Sequence, residues 1–324
     1  MRPTQKQSNP FANSDSNKRY YTYDYYLRRT YGGKCLKLPL DIGCTCPNID
    51  GRCGVGGCIY CSGRGSGDFA PSVHLSVTEQ LEAGKKMLHA KWNADRIIPY
   101  FQAHSNTYAD VGFLREKFDE ALRFPNVVGI HIATRADCLL SDVLTLLAEL
   151  SAKTLLTVEL GLQSASDATA RRINRGHNYA EFLSGYRALR NAVPNARICV
   201  HIINGLPGER EKDMLATADA VAALRPEEVK IHLLHILRGT PLAEDYLRGE
   251  YVPLSLEDYI AVTAAQLTRL PPDTVIARVT GDGDRDALLA PQWSLRKREV
   301  LAALDRFLFD NDLWQGKAYS PNNC

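Results

Sequence analysis

The 324-residue sequence predicts an α/β fold, a partial (βα)6 barrel with a C-terminal α/β extension packed on it. Three observations carry this. Short apolar runs of strand length recur six times. Each is followed by a stretch with helical periodicity, and that alternation makes βαβ units and a parallel sheet. A loop dense in Cys and Gly follows the first run, and barrels of this kind carry their chemistry on the loops after their strands. Hydrophobic residues make up 45% of the chain and charged residues 23%, so a core can form without disulfides.

The elements follow in order. Residues 1–19 are polar and predict a flexible tail. Residues 20–240 form the barrel part, with strands at 35–40, 97–103, 127–133, 154–160, 197–203 and 227–233. Ser76-x-x-Glu79 reads as a capping box opening the first crossover helix. Further helices fall near 110–123, 141–150, 178–192 and 209–224. Residues 241–324 form the extension, expected to bear on substrate. It reads as a helix from Ser255 to Leu270, a strand from Thr274 to Val279, and a long amphipathic helix from Trp293 to Asp310. No run of 18 apolar residues and no leader pattern is present, which predicts a soluble, cytoplasmic chain with no membrane partner.

Net charge is +2, so global charge announces no nucleic-acid partner. The asymmetry is local: residues 1–34 hold seven Lys or Arg against two Asp, interleaved from Tyr20 onward with tyrosines. Within 20–34, Arg28 and Arg29 with these rings suit a phosphate-pairing, base-stacking surface. Equally, the tyrosines suit a segment that covers the barrel bottom.

Five of the nine cysteines lie between Cys44 and Cys61. An odd, clustered set without a secretion signal argues for a metal or cluster site over a disulfide framework. Gly51, Gly54, Gly56 and Gly57 interleave with Cys53, Cys58 and Cys61, and such a backbone can wrap an inorganic cluster. A closed zinc site wants four ligands, usually two paired knuckles. Only one Cys-x-x-Cys, Cys58 and Cys61, is present. Three thiolates would leave one iron of a [4Fe–4S] cluster open to substrate. For the third ligand Cys44, Cys46 and Cys53 compete, and loop closure favours Cys53.

The order of motifs resembles a radical S-adenosylmethionine (SAM) family close to the bacterial YhcC-type proteins, themselves related to the catalytic subunit of Elongator. The series runs Cys46-x11-Cys58-x2-Cys61, Phe101-Gln102-Ala103, Thr134-Arg135-Ala136-Asp137, Glu159-x-Gly161-x-Gln163-Ser164 and Asn174-Arg175-Gly176-His177. It continues through Gly205-x-Pro207-Gly208-Glu209, Lys230-x-His232 and Leu289-Ala-Pro291-x-Trp293. It spans residues 25–317.

The resemblance implies a radical SAM barrel, a [4Fe–4S] cluster on Cys46, Cys58 and Cys61, and SAM held by Glu159, Gln163, Arg175, Gly205 and Gly208. It implies reductive SAM cleavage to a 5′-deoxyadenosyl radical, fed by a donor such as flavodoxin or ferredoxin. Two family features depart. Gln102-Ala103-His104-Ser105 stands where Gly-Gly-Glu is usual. His201-x-Ile203-x-Gly205-x-x-Gly208 lacks the first Gly and the Glu of its motif.

Lys230 and His232 share one strand face and, with Arg278, are candidates for an anionic substrate. A satisfied core pair and an exposed charged turn are the bland alternatives. The Elongator likeness implies tRNA, at the side chain of the wobble uridine. Without the acetyltransferase domain of that relative, an existing side chain would be modified or trimmed. The competing readings are radical chemistry on a small metabolite, as in the coproporphyrinogen-type branch, and a non-catalytic Fe–S scaffold or sensor.

Overall fold

A computed structural model describes residues 9–320, apart from 66, 68, 90, 91, 93 and 282. Seven parallel strands form one sheet: β1 (Cys35–Leu40), β2 (Arg96–Phe101), β3 (Ile130–Thr134), β4 (Leu156–Gln163), β5 (Arg197–Asn204), β6 (Glu228–Leu233) and β8 (Val275–Arg278). Strand order follows chain order, the pattern that successive βαβ crossovers produce. The sheet curls. Lys37 on β1 and Lys230 on β6 both reach the carboxylate of Glu159 on β4. At about 4.8 Å per strand, side chains that far apart could not converge across a flat sheet. The result is a half-barrel, as the sequence predicts.

Each strand turns one face outward to helices. Leu36, Leu38 and Leu40 of β1 are fully buried, and Leu38 lies under Gly84 of α2 (Val77–His89). Phe101 at the end of β2 meets Phe118 of α3 (Val111–Arg123) edge-on at 4.9 Å. The remaining crossovers are α4 (Ser141–Lys153), α5 (Asp167–Arg172) with α6 (Tyr179–Ala192), and α7 (Glu211–Leu224). Asn178 and Glu181 make a capping box that starts α6.

The extension packs on the sheet and also lends it a strand. Beyond β7 (Ile236–Leu237) and α8 (Pro241–Leu247), α9 (Leu256–Arg269) packs beside α7, and β8 then pairs with β6. The short β9 (Leu288–Ala290) pairs antiparallel with β7, and α10 (Lys297–Asp310) packs on α9. No helix among the described residues is long and apolar enough to cross a membrane.

Two expectations for the N-terminal part change. Residues 9–19 are pinned to the extension: Lys18 pairs with Asp305 at 2.5 Å, and Arg19 with Asp312 at 3.1 Å. The segment 20–34 is the barrel-bottom cover. The amide of Ile276 donates to the carbonyl of Tyr21 at 2.8 Å, closing the outer edge of β8. Thr22 then caps α1 (Tyr23–Tyr31), whose Tyr26 and Leu27 pack on Cys35, Ile98 and Val275 near the strand starts. Arg28 is held by Asp15 at 2.5 Å and Asp24 at 2.9 Å, and the Arg29 guanidinium lies over the Tyr25 ring. Neither arginine lines the two cavities described below. Packing and ion pairs account for the conformation of this segment.

Candidate functional site

The loop from β1 to α2 is strapped to the turn after α5. Asn48 is fully buried, and its amide donates to the carbonyl of Asn174 at 2.5 Å and lies 3.7 Å from the Cys58 Sγ. Asn174 returns a bond to the carbonyl of Gly57 at 2.7 Å. A Cβ at Gly176 would come within 2.4 Å of the Asn48 side chain, so only glycine allows this approach. Cys46, Cys58 and Cys61 line one cavity of about 260 Å³. Cys44 instead belongs to the hydrophobic core. Cys53 is exposed outside the cavity, 3.4 Å from Arg135 and 3.8 Å from Asp137.

Sulfur spacing speaks to the metal. Among the described residues only Glu159, Cys199 and His201 bring three potential ligand atoms within 4.8 Å of one another. Three thiolates on one tetrahedral zinc would stand about 3.8 Å apart, given Zn–S bonds of about 2.3 Å. The cavity cysteines are spread wider, which suits a multi-iron cluster. The Glu159 trio is a poor cation site, because two lysines already hold its carboxylate.

The same cavity collects three of the expected SAM contacts, Glu159, Gln163 and Arg175. Gln163 lies beyond a bulge in β4 with φ of 73°, and its buried Oε1 has no partner among the described residues. Arg175 donates to the carbonyl of Gly161 at 2.5 Å and reaches within 3.9 Å of the Cys58 Sγ, while its buried Nε is unpartnered. Orphaned buried donors and acceptors facing a cavity are what a polar ligand would satisfy. His104 and Ser105, from the departing second-strand motif, line this cavity too. Gly205 and Gly208 do not. Gly205 packs under Leu254 and the Tyr251 hydroxyl, and Gly208 lies against Arg172. Their φ of 86° serves the turn after β5.

Glu159 also differs from its expected place. β4 runs on to Gln163, so Glu159 lies inside the strand rather than at its end. Its carboxylate is completely buried and accepts from Lys37 at 2.5 Å, His131 at 2.7 Å and His201 at 2.8 Å, and from Lys230. Burial pushes this carboxyl up, but Lys230, Lys37 and the imidazoles outweigh it and hold it well below the usual range. Burial lowers Lys230 to about 8 despite Glu159, with Lys37 adding to the fall. Burial, aided by the lysines, takes His131 and His201 to about 4, so both are neutral at pH 7. Glu159 is thus held by four side chains of its own chain at the wall of this cavity.

Lys37, His131 and His201 carry no expected role, and Arg135 sits unassigned inside a quoted motif. A signal was present. Each of the seven strands has at least one polar or ionisable residue on its inner face, among them Lys37, Tyr100, His131, Glu159, His201, Lys230 and Arg278. Such residues on every strand, amid apolar neighbours, mark an inner layer built for polar contact.

A second cavity, about 970 Å³, opens through the gap between β1 and β8. Lys230, His232 and Arg278 line it together, as expected for a shared face, along with Lys37, Arg285 and Lys297. Asp24 and Asp284 are the acidic residues there among those described, and Phe69 and Trp92 present exposed rings. His232 borders both cavities, 5.2 Å ring to ring from His201, and its buried Nε2 is unpartnered.

A model described as "Radical SAM superfamily" matches residues 48–221, and one described as "Radical_SAM C-terminal domain" matches 226–309. Uncharacterized protein YtqA of Bacillus subtilis is 45% identical over 97% of both chains. Protein YhcC of Escherichia coli is 36% identical over 90% of this chain and 93% of its own. Elongator complex protein 3 of Mus musculus is 27% identical over 73% of this chain, which spans 49% of that longer protein. Among solved structures, an archaeal Elp3 of Methanocaldococcus infernus shares the fold with a TM-score of 0.64 at 16% identity, over 87% of this chain and 64% of that one.

Proposed function

This chain belongs to the radical SAM superfamily, and we propose that it is a tRNA-modifying member acting on a wobble-uridine side chain. Its cofactors are a [4Fe–4S] cluster and SAM. Bound, they supply an electron to SAM and a 5′-deoxyadenosyl radical that takes a hydrogen atom from substrate. The observation that carries the site assignment is the convergence of Cys46, Cys58, Cys61, Gln163 and Arg175 on one cavity. In this reading the three cysteines hold the cluster. Gln163 and Arg175 orient SAM through their unpartnered Oε1 and Nε. Arg135, 3.9 Å from the Cys46 Sγ, offsets thiolate charge.

Substrate enters through the gap between β1 and β8, where Lys230, His232 and Arg278 meet it. The basic lining with exposed rings supports an RNA end or loop, whose phosphates pair with cations and whose unpaired bases stack. A donor such as flavodoxin or ferredoxin and a cytoplasmic location belong to the same reading. The deciding experiment is mass spectrometry of tRNA nucleosides from a deletion strain. A missing or accumulated wobble nucleoside, restored by the parent gene and not by Cys58→Ala, supports it. An unaltered profile removes tRNA as substrate.

A further inference from the structure

The wall between the two cavities is charged asymmetrically. Glu159 opens toward the cavity of Cys46, Cys58 and Cys61, whereas Lys37 and Lys230 open toward the groove between β1 and β8. Two ammonium groups share one carboxylate. The imidazoles of His131 and His201, which also meet it, are neutral, so the group carries a net positive charge inside the protein. Beyond Glu159, Lys230 has the Tyr100 hydroxyl at 3.1 Å and Lys37 has His131 at 2.9 Å, neither an anion. The Tyr100 ring underlies both ammonium groups, at 4.1 Å from Lys37 and 4.5 Å from Lys230. It softens the imbalance and fixes both cations at the groove wall. Arg278, the register partner of Lys230, adds the same sign beside them.

One cation would suffice to hold Glu159. A second ammonium, here the partly buried Lys37 beside the buried Lys230, is costly unless something balances it. Facing a groove of nucleotide size, it is placed for an external anion. We propose that Lys37 and Lys230 form a receptor for an anionic group of the substrate, a carboxylate or a phosphate. The proposal rests on the reading that substrate enters this groove. The group lies between the two ammonium ions, with the wall behind them separating it from the cluster cavity.

The test uses the full chain with its cluster reconstituted anaerobically and SAM present. Calorimetry compares 5-carboxyuracil with uracil, and separately titrates inorganic phosphate. One charge-assisted contact predicts that 5-carboxyuracil binds at least about tenfold tighter than uracil. That preference should vanish in Lys37→Gln and Lys230→Gln and persist in Lys37→Arg. The Arg variant keeps the charge and so separates recognition from misfolding. Phosphate binding with the same variant pattern, and no carboxylate preference, assigns the receptor to a phosphate. Absence of binding by either anion overturns the proposal, as does equal affinity in the parent and both Gln variants. Failure of the tRNA reading looks different: anion binding with this variant pattern, beside an unaltered tRNA profile in the deletion strain, keeps the receptor and discards RNA.

Discussion

Replacing Glu159 by Gln tests the charge balance of the barrel interior. The change preserves shape and removes the one carboxylate that Lys37, Lys230, His131 and His201 share. With Glu159 in place Lys230 titrates at about 8. At pH 7 the variant can escape the exposed imbalance by shedding that proton, which costs about 1.4 kcal/mol for one pH unit. Weakened charge-assisted contacts to Lys37 and the two imidazoles add about 1 kcal/mol each. The total, about 3–5 kcal/mol, is the range for removing one partner of a buried ion pair.

Urea unfolding of the apo chain at pH 7, followed by circular dichroism, measures this without reference to activity. The pH dependence has a definite sign. The folded Glu159 carboxyl titrates well below 4.5, so its contribution is present above 4.5 and is lost only as pH falls through that low folded value. Lys230 is depressed, so between about 8 and 10.5 the unfolded chain binds the extra proton and the parent gains stability as pH rises. Parent and variant should therefore differ most near pH 5–7 and by about 1 kcal/mol less at pH 9. A loss under about 1 kcal/mol at pH 7 would refute the reasoning, for it would mean that the lysines are solvated as surface charges are.

Four other outcomes are expected. Cys46→Ala, Cys58→Ala and Cys61→Ala should lose iron and the broad visible absorbance after anaerobic reconstitution, while Cys44→Ala and Cys53→Ala keep both; iron lost from Cys53→Ala would reassign the third ligand. A Cβ at Gly161 would meet the Gln163 and Arg175 side chains at 2.7 and 3.0 Å, so Gly161→Ala should weaken SAM binding measured by equilibrium dialysis, with cluster content intact. Burial raises Glu209 to about 7 against the hydroxyls of Ser164 and Thr169, a penalty that appears as pH climbs through 7, so Glu209→Gln should stabilise the chain by about 1–2 kcal/mol at pH 8 and by little near pH 4.5 in thermal melts. Arg28→Glu with Arg29→Glu should change tRNA affinity by less than about twofold, whereas Arg285→Glu with Lys297→Glu at the groove should weaken it and flatten its salt dependence in filter binding.

The strands were legible because each sets apolar residues at every second position, the signature of a sheet covered on its outer face. The six predicted strands and their helices stand within a few residues of their places. What misled was local. The β4 run was cut at residue 160, since Gly161 and Gln163 do not look like strand; a bulge carries the strand past them and moves Glu159 inside. Around Gly205 the neighbours are Tyr251 and Leu254, distant in sequence and invisible to any local motif. Tyr and Arg in one segment have the same composition whether they face RNA or a barrel floor, and only the pairing of Tyr21 with β8 separates the two. The two- and three-residue strands β7 and β9 have too few side chains to leave a period.

The interior polar layer bears on how such a barrel is stabilised and used. Closed barrels of this class usually fill the inner layers with branched apolar side chains, which favours stability. Here the outer faces carry the apolar burden: Leu36, Leu38, Leu40, Ile97, Ile130 and Ile132 are all fully buried. The inner face can then carry lysines, histidines and a glutamate, because the ring is hydrogen-bonded within itself and its excess positive charge faces the groove. A network of this kind also fixes its members. Glu159 holds Lys37 and Lys230 from behind, and the Tyr100 ring holds them from beneath. An anion entering the groove would therefore meet cations already in place, with their rotamer entropy spent on folding instead of on binding. The gap between β1 and β8 makes this layer reachable, and a sealed eight-stranded barrel with the same residues would have no route to it.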